Sequence, residues 1–282
     1  MIARPASGHL ARAAVLVYEK GCLSTCKGAA YSGFLSIFPV LTTLATLLVQ
    51  ARATPVLNVL SRFLSGILPP GTEPLVLERF VSSGQRPALL LVAATLLAIY
   101  AASGVMMSLM EAFDRLYAVG AGRPFIRQRL VAAMLVLTSA LPVLGASMLI
   151  MLGDRTEQSI ARWLHDYPEA VPLTGGLMVL GYLLRYTVAL ATIVLVTGLL
   201  YFLGPNSRHS WHSVWPGAWL ATALWLPATA LFAFYVRTIA SYNVLYGSIG
   251  AVIALLVWMY LLAIIACYGC AYNAAADPDV AS

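Results

Sequence analysis

Charge is what this sequence has least of. Only 10% of its 282 residues are Asp, Glu, Lys or Arg, where a soluble domain carries about 25%. Acids are scarcest, 11 against 17 Lys and Arg, and every one falls at or outside the ends of the long apolar runs. A proton relay across a membrane needs acids inside it, so coupling of that kind is disfavoured. Histidines number four. Only His209 and His212 are close in sequence, with no carboxylate beside them, whereas a metal-dependent nuclease needs clustered His and carboxylate ligands. No G-x-x-x-x-G-K-[ST] loop cradles a phosphate, and no G-x-S-x-G elbow presents a nucleophile. ATP-driven transport by this chain alone is therefore unsupported. Neither enzymatic activity nor a cofactor is expected. The first 27 residues hold Arg4, Arg12, Lys20 and Lys27 but no apolar stretch ending in a small-residue cleavage site, so the first membrane span would act as the targeting signal.

What the sequence has in abundance is apolar length. It is 61% hydrophobic with mean hydropathy +0.85. The stretch from Ser241 to Asn273 organises the rest. From Val244 to Ala271 it carries no charge and is long enough to cross the roughly 30 Å hydrocarbon core as a helix. Runs of this kind do not alternate, which excludes a β-barrel. The expected fold is all-α, a polytopic membrane bundle of six transmembrane helices with short interfacial amphipathic helices. An N-terminal amphipathic segment (residues 1–27) precedes the membrane domain (28–273), and a short tail (274–282) follows. Expected spans are 28–49, 87–110, 130–152, 183–203, 214–235 and 241–273. Residues 8–20, 55–82 and 156–165 read as amphipathic pieces on the membrane surface. Choosing 183 as the start of the fourth span puts Arg185 at the interface, where it can snorkel.

Six spans place both termini on one side. With the N-terminus inside, nine of the 17 basic residues fall inside and eight outside, which decides nothing. The dense Arg115–Arg129 loop leans toward an inner N-terminus. The formal charge of +6 and pI near 9.3 would suggest nucleic acid in a soluble protein. In a chain this apolar they fit juxtamembrane residues facing anionic lipid, so the expected partners are membrane lipids and not nucleic acid.

Several local features bear on a pathway or on packing. Pro39, Pro142 and Pro227 each interrupt an odd-numbered span, which hints at three related hairpins, although prolines are frequent in membrane helices. Pro39 frees the carbonyl of Leu35, with Ser36 one turn before it, so span 1 is expected to bend there with Ser36 facing protein or water. Tyr242, Asn243 and Tyr246 form a polar cluster ahead of span 6. Gly247, Gly250, Ala251 and Ala254 recur at helical spacing, and so do Ala263, Ala266, Cys267 and Cys270. Such small faces let another helix approach closely in lipid. For the first face the expected neighbour is span 1, through Gly28, Ala29, Ser32 and Ser36. Cys267 and Cys270 have C-x-x-C spacing, and with Cys22 and Cys26 a four-thiolate site is conceivable; compact packing residues are the plainer reading. Glu111 and Arg115 suit an i, i+4 ion pair.

Four stretches are similar to a known family: KGAAYSGFLSIFPVL (27–41), AASGVMMSLMEAFDRLY (101–117), GPNSRHSWHSVWPGAWLATALW (204–225) and SYNVLYGSIGAVIALLVWMYL (241–261). Together they resemble the YihY/virulence factor BrkB family of bacterial inner-membrane proteins, over nearly the whole chain from Lys27 to Asn273. The resemblance implies six helices, both termini cytoplasmic and an inner-membrane location. It implies no settled activity, although the family once carried a ribonuclease label. The family usually ends its last span in a G-A-E-L-N-like motif. Here Gly269 and Asn273 match and Ala271 stands where the glutamate would be.

Two functions stay open. One is transport of a lipid or other amphiphile, through a pathway near Ser36, Pro39, Tyr242, Asn243, Tyr246, Gly247 and Gly250. The other is a structural or envelope-maintenance protein that moves nothing.

Overall fold

The computed structural model describes residues 6–50, 88–166, 171–207, 209–239 and 247–277, and every regular element among them is helical. In chain order these are α1 (Ala6–Glu19), α2 (Cys22–Gln50), α3 (Ala88–Leu116), α4 (Phe125–Asp166), α5 (Val171–Leu203), a 3₁₀ turn (Trp211–Val214), α6 (Trp215–Ile239) and α7 (Gly247–Ala276). Five stretches among the described residues are long and apolar enough to cross a membrane: Val92–Leu116, Phe125–Ala146, Val179–Leu203, Trp211–Tyr235 and Val252–Ala276. α2 is a continuous helix of 29 residues with Pro39 inside it.

α2 runs antiparallel to α3, and α6 to α7. Gly28 faces Ser108 and Gly104 faces Ser32, which sets α2 against α3, and the α2–α3 pair is the most extensively packed among the described helices. α6 and α7 meet at Gly217 and Gly269 near one end and at Phe232 and Trp258 further along. α7 touches α1, α2, α3 and α6. It owes that central place to its small face, since Ala263, Ala266, Cys267 and Cys270 are all buried. The outer faces are apolar and open: Leu96, Leu97, Leu141, Leu184, Leu231 and Phe234 are each more than half exposed. In water a belt of that kind would drive aggregation; in a bilayer it is the lipid contact.

The ends of the helices are set by local chemistry. Gly21 joins α1 to α2 at φ +66, a left-handed conformation that glycine adopts without steric cost. α3 closes with Ala118 at φ +50, and the Val119 N–H donates to the Asp114 carbonyl at 2.9 Å, the pattern of a Schellman cap. α6 begins with Pro216 in its first turn, where a missing N–H costs nothing. α1 lies along the end of α7. Tyr268 donates its hydroxyl to the Leu10 carbonyl at 3.0 Å, and the His9 ring meets the Ala275 carbonyl at 3.3 Å.

Two expectations change. Residues 156–165 are not a separate surface piece but the continuation of α4, which runs 42 residues. The small residues Gly28 and Ser32 pack on α3 at Ser108 and Gly104 instead of on Gly250, while Gly33 is the α2 glycine that meets α7, at Met259. Arg185 lies less than two turns inside the window Val179–Leu203 and is buried at 8% exposure, with its Nε donating to the Gly181 carbonyl at 3.1 Å. Its guanidinium is enclosed by protein, and the contact with Gly181 points it back toward the near end of the helix. The amphipathic stretch expected at 55–82 lies outside the described residues.

Candidate functional site

The expected pathway residues are only partly described. Tyr242, Asn243 and Tyr246 lie outside the described residues. Gly247 opens α7 and Gly250 is partly buried in its first turn. Ser36 is partly buried, and its hydroxyl donates to the Gly33 carbonyl at 2.7 Å. Beyond it, Thr42 donates to the Phe38 carbonyl at 2.8 Å and Thr43 to the Pro39 carbonyl at 2.9 Å. Back-bonding of this kind satisfies the hydroxyls within one helix and tends to bend it. The same holds for the buried hydroxyls of Ser103, Thr197 and Thr222, which donate to Tyr100, Ile193 and Ala218.

The densest polar chemistry sits elsewhere, at the end of the bundle where α3, α5 and α7 finish and α2, α4 and α6 start. Asn273 of α7 accepts the Gly217 N–H through Oδ1 at 2.7 Å and donates Nδ2 to the Val214 carbonyl at 3.0 Å. It thus caps the N-terminus of α6, where free N–H groups need partners. Beneath it, Gly217 and Gly269 are in backbone contact. A Cβ on Gly217 would strike the Gly269 carbonyl, and one on Gly269 would strike the Tyr201 hydroxyl and the Gly217 carbonyl. Tyr201 is fully buried, donates to the Ala266 carbonyl at 2.7 Å and stands edge-on to Phe113.

A second knot ties the α3–α4 and α5–α6 connections. Arg123 donates to three carbonyls at the end of α5: Gly204 at 2.7 Å, Pro205 at 3.0 Å and Leu203 at 3.1 Å. A cation suits a helix C-terminus, where the dipole is negative. Burial lowers the Arg123 guanidinium from its usual value, and the Asp114 carboxylate opposes that. Asp114 accepts the Asn206 N–H at 2.6 Å, and the Asn206 side chain donates to the Ala121 carbonyl at 3.3 Å. His209 stacks on Tyr117 at 5.3 Å. Its Nε2 meets the Tyr201 carbonyl at 3.0 Å and its Nδ1 meets Ser207 Oγ at 3.2 Å. A carbonyl accepts only, so Nε2 donates to Tyr201, and Nδ1 is paired with the Ser207 hydroxyl. Both ring nitrogens are thereby engaged, and His212 stands apart on the exposed face of the 3₁₀ turn. The expected Glu111–Arg115 pair forms, at 2.7 Å and largely in solvent.

All four cysteines are buried and free. The Sγ atoms of Cys26 and Cys267 are 3.3 Å apart, joining α2 to α7, whereas the Cys22 thiol points to the Ala112 carbonyl at 3.7 Å. Burial pushes the Cys22 thiol up to about 11. Among the described residues no three His, Cys, Asp or Glu side chains gather as metal ligands, so the four thiols do not converge on one point.

Arg123, Tyr201, Asn206, Gly217 and Asn273 are the residues that sequence reasoning did not single out as a site. The signal was present in the G-P-N, P-G and G-x-x-x-N stretches, which converge here. Ala271, in the place of the family glutamate, is fully buried in α7.

No solved structure matches this chain. The ribonuclease-like protein YfkH of Bacillus subtilis is 30% identical over 249 residues, covering 87% of this chain and 86% of that protein. A UPF0761 membrane protein of Chromobacterium violaceum is 31% identical over 173 residues, 61% of this chain and 38% of its own length. Another, from Pseudoalteromonas translucida, is 36% identical over 81 residues, 29% of this chain and 27% of its own. This chain thus spans well under half of the UPF0761 relatives named here. The profile of the virulence factor BrkB family matches residues 17–280, and with an all-helical bundle clothed in exposed apolar side chains behind that match, the chain belongs to the virulence factor BrkB family of membrane proteins.

Proposed function

We propose that this protein crosses the bacterial inner membrane six times, α2 to α7, with both termini in the cytoplasm, and that it moves an anionic lipid or similar amphiphile. One observation carries the reading: Arg185 is buried at 8% exposure inside an apolar window. An ionisable side chain at that depth is costly and marks a substrate or ion pathway in membrane proteins far more often than a surface charge does. A guanidinium offers a planar fork suited to phosphate or carboxylate headgroups. The hydroxyls of Ser36, Thr42 and Thr43 near Pro39 supply a polar flank on α2, and the knot around Asn273 closes the cytoplasmic end. Tyr242, Asn243, Tyr246, Gly247 and Gly250 belong to the same pathway in this reading. Catalysis has no place in it, because His209 is engaged on both nitrogens and a ribonuclease-like name is carried by YfkH alone among the relatives above.

The test is reconstitution of the pure protein in liposomes containing a fluorescent anionic phospholipid, with transfer between leaflets followed by dithionite quenching. Wild type should accelerate transfer, and Arg185→Gln should slow it without loss of folded protein. If the wild type moves neither anionic nor zwitterionic label, the transport reading fails.

A second reading is favoured by the hydroxyls that close on their own helices and by the dense packing at Gly217 and Gly269. In that reading the chain is a structural or envelope-maintenance protein, and the same liposomes show no flux.

A further inference from the structure

Cys26 and Cys267 lie 241 positions apart in the chain, yet their Sγ atoms are 3.3 Å apart and both side chains are fully buried. That is closer than two sulfurs rest without an interaction, and the contact is a thiol hydrogen bond. The other two cysteines are disposed differently: Cys22 is turned to the Ala112 carbonyl at 3.7 Å, and Cys270 is buried on α7 three residues from Cys267. One pair is therefore set for sulfur–sulfur chemistry. Closing it asks each sulfur to move by well under an ångström, since a disulfide is about 2.0 Å long.

We infer that Cys26 and Cys267 are a dithiol that a hydroperoxide converts to a disulfide, fastening α2 to α7. The step balances. One sulfur, as thiolate, attacks the outer peroxide oxygen; the O–O bond breaks, leaving a sulfenic acid on the protein and releasing an alcohol, or water when the oxidant is hydrogen peroxide. The second sulfur then attacks the sulfenic sulfur, the S–S bond forms and water leaves. The two thiols give up two electrons and two protons, and the peroxide bond takes them. Cys26 lies in the second turn of α2 and Cys267 nine residues before the end of α7; hydroperoxides, being small or lipid-soluble, are the oxidants suited to thiols enclosed in this way, whereas glutathione is too bulky and too polar to follow. In a reducing cytoplasm the resting form is the dithiol, and the oxidised form persists once made. A staple there stops any motion that separates α2 from α7. The inference holds whether or not the protein transports anything.

The full chain in liposomes is exposed to hydrogen peroxide, denatured in N-ethylmaleimide and mapped by mass spectrometry. The expected product links the peptide containing Cys26 to the one containing Cys267, with Cys22 and Cys270 alkylated. The oxidised protein should melt at a higher temperature, and dithiothreitol should reverse the shift. Cys22→Ser should keep the shift and Cys267→Ser should lose it. If both sulfurs are alkylated after peroxide, or the link joins another pair, the inference is wrong. The wild-type map decides the matter even where Cys267→Ser does not fold.

Discussion

Asn273 and Gly217 hold each other across 56 residues of chain: the carboxamide oxygen of one accepts the backbone N–H of the other at 2.7 Å, in a fully enclosed setting. The same carboxamide donates to the Val214 carbonyl. Asn273→Ala removes both partners at once and leaves a buried donor and a buried acceptor empty. Each such group costs about 1–3 kcal/mol. Asn273→Ala should lower the melting temperature and the folded yield in detergent, and Asn273→Leu should do no better. An unchanged melting temperature would mean that water replaces the carboxamide.

Gly269 sits where two backbones touch. A methyl group there meets the Tyr201 hydroxyl, the Gly217 carbonyl and, at 2.9 Å, the Ala221 methyl. Two of those neighbours are held by backbone, so α6 and α7 must part. Overpacking of this kind costs about 1–3 kcal/mol, and Gly269→Ala should be destabilised accordingly. On α4, by contrast, a methyl group added to Gly145 would meet nothing within 4 Å. Gly145→Ala should therefore be neutral or stabilising by up to about 1 kcal/mol, alanine being the better helix former. Differential scanning fluorimetry on the pair separates the two effects.

Arg123 binds three carbonyls with one planar group. Arg123→Lys keeps the charge but not the fork, and lysine reaches these oxygens as a point charge. Both Arg123→Lys and Arg123→Ala should loosen the end of α5, with alanine the worse. Limited proteolysis at the exposed Gly120–Gly122 turn should speed up in each. Equal protection of Arg123→Lys and wild type would show that charge alone suffices.

The proposed topology has its own check. A reporter active only in the cytoplasm, fused after Ser282, should give signal, and one fused after Arg237 should not. The reverse pattern would overturn the orientation.

Much of this architecture was legible in the residues. The apolar runs announce the long helices, and the face formed by Ala263, Ala266, Cys267 and Cys270 does bury at the centre. Pro39, Pro142 and Pro227 do lie inside helices. Hydropathy misled at Gly153-Asp154-Arg155, where polarity reads as the end of a span. Polar side chains end a hydrophobic run without ending a helix, and a single glycine costs only about 1 kcal/mol, so α4 continues. The knot was harder to foresee. Asn273, Gly217 and Tyr201 gain their meaning from partners on other helices, and no local periodicity encodes a pairing between residues that far apart.

The order of synthesis gives the central position of α7 a cost in time. Ribosomes add about 5–20 residues per second, and 241 residues separate Cys26 from Cys267. The inner face of α2 therefore waits on the order of ten to fifty seconds in the membrane before its permanent neighbour emerges. The side of Gly33 that ends up against Met259 spends that interval against lipid or against a temporary companion such as the insertion machinery. A chain released early, before α7, would carry an open seam along α2 and α3, and membrane quality control would have a surface by which to tell it from a finished one.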